Sequence, residues 1–249
     1  MSRLDRSDPG RRRAQANVVG VAILLGLTML SLGALTATVG TVVQQDAAAA
    51  DAGRVAADLD GSLNPVSDTG AGRGRVSFTE GRLGVEDRTL RVLNDSGTVA
   101  TVETDALVFE SGTRQVAFTA GAVTRGSGNG SRLYAAPPVA ASRGTLLVGA
   151  GRLNASATTP DSVASSTPTS LTLRTNVTHR RRALGNGSYR VAVETTAPRA
   201  WERHFERANA SVSRRDFDGD GVPSVVADYR GDRVAYLVVH DMRLEVTRG

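Results

Sequence analysis

The chain has 249 residues, no cysteine, three histidines and a formal net charge of +5. That length holds one domain with a core of its own behind an N-terminal segment, and the missing cysteines exclude disulfides and thiolate metal sites. Only 4% of residues are aromatic and the arginines are scattered among acids, so the basic, aromatic-studded patch of a nucleic-acid binder is absent and no nucleic-acid partner is expected.

Taken in chain order, the first feature is a basic leader. Arg3, Arg6, Arg11, Arg12 and Arg13 stand against Asp5 and Asp8, and no charge then appears from Ala14 to Gln45. The apolar part, residues 18–43, is long enough to cross a bilayer core of ~30 Å at ~1.5 Å per residue. Arginines before it and Asp46 and Asp51 after it predict a cytoplasmic N-terminus and an outer C-terminal region. The run is too long for the apolar core of a cleaved secretory signal. It continues into alanine-rich sequence with no proline before Pro65, which predicts one helix over 15–63, roughly 70 Å long. Gly26, Gly33 and Gly40 recur every seven residues near one face. Ala22–Gly26, Gly33–Ala37 and Thr36–Gly40 are small-xxx-small pairs that let helices approach closely.

Arg13-Ala14-Gln15 ahead of this apolar run resembles the class III signal of type IV pilin-like proteins, especially those of halophilic archaea. The resemblance covers about residues 11–60. It implies cleavage between Ala14 and Gln15 by a prepilin-type peptidase, leaving the helix on the mature subunit to pack against other pilin-like subunits. Many members of that family carry a glutamate near the fifth mature position. Here Val19 stands there, which implies a minor-pilin or pseudopilin type.

The remainder reads as β-rich. Leu171, Leu173, Thr175 and Val177 alternate with Arg174 and Asn176; Tyr189, Val191 and Val193 alternate with Arg190; Met242, Leu244 and Val246 alternate with Arg243 and Glu245. Shorter strands are expected near 76–79, 83–85, 89–93, 99–102, 114–119, 146–148 and 233–239. Turn signals fall at 80–81, 94–97, 126–130 and 186–187. Pro198 opens a short helix whose Trp201 and Phe205 face a core. Residues 154–169, rich in Ser, Thr and Pro, read as an exposed loop. His179-Arg180-Arg181-Arg182 reads as a solvated loop.

Six of the eight asparagines open an Asn-x-Ser/Thr sequon: Asn94, Asn129, Asn154, Asn176, Asn186 and Asn209. On an outer domain these predict glycosylation. Asp216, Asp218 and Asp220, with glycine at 221, match the front of a calcium loop, and Val222 is placed to offer its carbonyl to Ca²⁺; the twelfth position is Ala227, unlike an EF-hand. The alternative for this segment is an acidic turn. No histidine sits in a metal-ligand spacing, and neither a nucleophile elbow nor a phosphate loop occurs. The glycine-rich 126–130 lies between strands and reads as a hairpin tip. The expectation is not an enzyme.

The whole predicts an α+β architecture: a leader over 1–14, a long transmembrane helix over 15–63 whose alanine-rich end forms a stalk, and a β-rich extracellular domain over 70–249 with one short packed helix. The function expected is a pilin-like surface assembly protein inserted in the cell membrane. The alternative is a signal-anchored extracellular binding module that uses the calcium loop.

Overall fold

The computed structural model describes residues 9–64 and 66–248; within the first helix it describes the side chains of residues 22–35 and 42–62. The chain divides into two units, one ending at Asp46 and the other running from Ala47. Helix α1 (Pro9–Ser62) contributes to both.

The second unit is β-rich. Its strands are β1 (Gly70–Phe78), β2 (Gly81–Glu86), β3 (Thr89–Asn94), β4 (Gly97–Glu103), β5 (Ala106–Ser111), β6 (Arg114–Thr119), β7 (Ala122–Arg125) and β8 (Arg132–Ala135). Then follow β9 (Val139–Ala141), β10 (Thr145–Arg152), β11 (Ser162–Ser165), β12 (Thr169–Glu194), helix α2 (Pro198–Arg207), β13 (Ser211–Arg215), β14 (Ser224–Asp241) and β15 (Glu245–Arg248). One sheet has the order β4-β3-β12-β14-β10-β9, with β1 and β15 also on β12 and β13 on β14. The other runs β11-β2-β5-β6-β7-β8. The strands β10 and β14 pair in parallel; the other pairings named are antiparallel.

Two large apolar cores result beside a small cluster of Ala106, Val108 and Ala117, and β12 feeds both large ones. Leu171, Leu173 and Val177, on one face at period two, are buried; Leu171 and Leu173 pack in a core with Phe78, Phe109, Phe118 and Leu244. Further along, Val191 and Val193 enter a second core with Leu90, Val92, Leu146 and Tyr229. Helix α2 lies on this second core through Trp201 and Phe205, as its i, i+4 spacing predicts. Glu202, the helix's buried acid, is held by Arg199 and Arg214. Those hydrogen bonds, Arg214's first, keep its carboxyl below the usual range against the opposing effect of burial.

The expected long transmembrane helix is corrected: among the described residues no helix is long and apolar enough to cross a membrane. Nor is the alanine-rich end of α1 a free stalk. Ala52, Val55, Ala56, Leu59 and Leu63 follow helical spacing and are buried in the first core. Asp51 accepts the backbone N–H of Thr79 at 2.8 Å and of Glu80 at 3.2 Å, and Asp58 accepts that of Ser77 at 3.0 Å. The last turns of the helix are thereby fixed to the end of β1 and to the turn that follows it. The close approach requires glycine at 74, where a Cβ would stand 2.1 Å from the Ser62 hydroxyl.

Three smaller expectations also change. The supposed loop 154–169 contains β11, paired with β2. The turn signal Asn186-Gly187 lies inside β12, where register shifts at Ala183/Gly185 and Gly187/Tyr189 absorb it as bulges. His179–Arg182 also lies within β12.

Candidate functional site

The first unit presents an apolar surface. Ile23, Leu24, Leu27, Leu32 and Leu35 are more than 60% exposed, and Met29 and Leu30 more than 70%. At 100° per residue these side chains point around the whole helix, not along one stripe. The polar residues offer nothing outward. Thr28 Oγ1 donates to the carbonyls of Leu24 and Leu25 at 3.1 and 2.9 Å, and Ser31 Oγ to that of Leu27 at 2.8 Å. Gly26 and Gly33 have nothing within 4 Å of the position a Cβ would take. A helix apolar on every side is normally covered on every side. The surroundings of Gly40, and the side chains of Ala14 and Gln15 at the expected cleavage point, lie outside what the structure describes.

The acidic loop joins β13 to β14. Asp216 accepts three backbone amides, Asp218 at 3.2 Å and Gly219 at 2.7 Å on Oδ1, and Gly221 at 3.1 Å on Oδ2. These bonds, Gly219's first, hold its carboxyl below the usual carboxylate range. Asp220 accepts the amide of Val222 at 2.9 Å. Asp218 places both oxygens on Arg91 Nη2, at 2.6 and 2.7 Å. Arg91 also lies 3.9 Å from the buried Glu194 and, with Arg215, stands over the Phe217 ring. Burial pushes the Glu194 carboxyl up; Arg88 and Arg91 oppose this and Asp220 and Asp218 add to it.

The cation among these acids is therefore a guanidinium. Among the described residues, no three His, Asp or Glu side chains are grouped to hold a metal ion. A Ca²⁺ ligated by Asp218 has to displace Arg91, whose Nη2 takes both of its oxygens, whereas a carboxylate that accepts backbone amides keeps further lone pairs to ligate with. Arg91 and Glu194 were not legible as parts of this loop, since they come from β3 and the end of β12.

The sequons separate into two groups. Asn129, Asn176, Asn186 and Asn209 are exposed. Asn94 and Asn154 are half-buried and engaged. Asn94 Oδ1 accepts the Ser96 amide at 2.9 Å, and Asn154 Nδ2, the atom a glycan would occupy, donates to Asp241 at 2.8 Å. The backbone at Asn154 is left-handed (φ 46°), which suits asparagine.

The histidines, distant in sequence, partly converge. The register of β12 on β14 sets His179 opposite His240 with Nδ1···Nδ1 at 2.9 Å, and Thr69 Oγ1 reaches His179 Nε2 at 2.9 Å. His204 is elsewhere, on α2, its imidazole shifted down by burial and then by Arg207.

Against known proteins, residues 13–245 match the model of a family of unknown function, DUF7289, and the chain belongs to that family. No curated protein and no solved structure matches it.

Proposed function

We propose that this chain is a structural subunit of the cell surface, of the minor-pilin or pseudopilin kind, that assembles through the apolar surface of α1 with helices of other subunits. The observation that carries this reading is the run of exposed leucines, isoleucine and methionine around residues 23–35, with its hydroxyls folded back on the helix. Each large aliphatic side chain buried gains about 1.5–3 kcal/mol. Because the apolar side chains surround the helix, a single partner leaves part of them in water, whereas a bundle of neighbours covers them. Gly26 and Gly33 offer the close approach that helix packing uses.

The resemblance of Arg13-Ala14-Gln15 to a class III signal supports the same reading and adds a maturation step, cleavage by a prepilin-type peptidase before Gln15. Exposed asparagines at four sequons suit a domain that faces outward. N-terminal sequencing of the protein recovered from cells tests the assignment. A mature chain that starts at Gln15 is the expected result; one that starts at Met1 or Ser2 contradicts it.

A further inference from the structure

Three consecutive strands of the smaller sheet bring three arginines to one place. Arg132 of β8 lies directly opposite Arg125 of β7, and Arg125 lies opposite Val116 of β6. Residues opposite each other share a face, as do residues two apart on a strand, so Arg114 joins the same face. The three side chains line a cleft of about 300 Å³ with Gln115, Gly126 and Gly130.

This arrangement is costly as it stands. Like charges set directly opposite each other across a ladder are destabilising. The ion pairs among the described residues include none to Arg114, Arg125 or Arg132. The nearest acid on the neighbouring strand, Glu110, is bound instead by Gln115 Nε2 at 3.2 Å.

The surroundings nevertheless make room for the cluster. Gly126 is left-handed (φ 78°), and a Cβ there would stand 3.1 Å from the Gly130 carbonyl oxygen, so the floor of the cleft is bare backbone. At Gly53 of helix α1 a Cβ would stand 3.8 Å from the Arg125 guanidinium, an ordinary contact, so the end of α1 borders the cleft without crowding that side chain.

We propose that this cleft binds a tetrahedral oxyanion, a phosphate or sulfate group, held by the guanidinium groups of Arg114, Arg125 and Arg132. Planar N–H forks match such oxygens in pairs, and an anion between three cations removes their mutual repulsion. The cleft is small and carries no aromatic side chain among its lining residues, which suits one charged group rather than a nucleobase.

Calorimetric titration of the full-length chain in non-ionic detergent, at low salt, with inorganic phosphate and with sulfate, tests this directly. Saturable binding is expected, weakened about tenfold or more in the R114Q/R125Q/R132Q variant and unchanged in R174Q, which lies on β12. Arg132 is exposed, so R132Q alone serves if the triple variant loses its circular-dichroism signature.

Flotation with phosphatidylcholine vesicles, with and without phosphatidylglycerol, separates the sources of the group. A gain on the anionic vesicles that the triple variant loses, without binding of the free ions, assigns the oxyanion to a lipid headgroup. The proposal is overturned if neither free anion binds and the vesicles show no arginine-dependent gain. It is equally overturned if binding survives the triple substitution in a folded chain.

Discussion

At the scale of single residues, Asn154 shows how an internal partner bears on modification. Its Nδ2 is bound to Asp241, so glycan attachment there sacrifices that hydrogen bond, whereas Asn129, Asn176, Asn186 and Asn209 are exposed. Glycopeptide mass spectrometry on protein from its native host should find occupancy confined to those four; occupancy at Asn154 would contradict the assignment. Replacing Asn154 by Ala should cost about 1 kcal/mol through the lost bond and the left-handed backbone.

Tyr229 supplies a pH test. Burial raises its phenol from the ordinary value of 10.0 to about 12, with Arg233 opposing. The folded form therefore holds its proton more tightly than the unfolded chain does. Stability should be full below pH 10 and fall as pH rises through 10 to about 12, and Tyr229→Phe should flatten that fall. Thermal unfolding monitored by circular dichroism across that range checks it.

At the scale of elements, α1 does two different jobs along one helix. Its last turns are core. Leu59 is fully buried among Val76, Phe109 and Leu171, and Leu59→Ala should destabilise the β-rich unit by about 2–5 kcal/mol in denaturant titration. An unchanged midpoint would mean that those turns are not part of the core. Gly33 behaves oppositely, because nothing lies within 4 Å of a Cβ built there. Gly33→Leu should leave the unfolding midpoint of the β-rich unit unchanged while abolishing assembly, read by sedimentation.

Much of this was readable from the residues. Alternation over 171–177 reported a strand with one buried face, and Pro198 with Trp201 and Phe205 marked α2 and its core side. The continuity of β12 was not readable, because Leu184-Gly185-Asn186-Gly187 has the composition of a turn; pairing with β14 and the Tyr189 hydroxyl bond to Leu184 O at 2.7 Å hold it extended. The buried face of 52–63 was obscured for a related reason. Alanine reports helix strongly but contributes little apolar contrast between faces, so the segment read as a stalk. The acidic loop was legible as a motif, while its cation, Arg91, came from a strand more than a hundred residues earlier.

At the scale of the molecule, the division of labour is between a β-rich unit that satisfies itself and a helical segment that does not. The two cores account for nearly all large apolar side chains after residue 47; Val66, Tyr134, Leu147 and Val234 are the exposed exceptions among the described residues. By contrast, every large aliphatic residue described between 23 and 35 is exposed. The apolar area of that segment is the strongest physical demand the molecule makes on its surroundings, and helices of other subunits meet it in the proposed account.

The absence of cysteine from the chain makes that claim directly measurable. Single substitutions Leu27→Cys, Leu30→Cys and Gly33→Cys, each oxidised in intact cells, report whether α1 meets α1 of another copy. Disulfide-linked dimers are expected from these helix positions and none from Arg174→Cys on β12. Monomers alone from all three helix positions, in protein that is folded and present at the wild-type level, would contradict it.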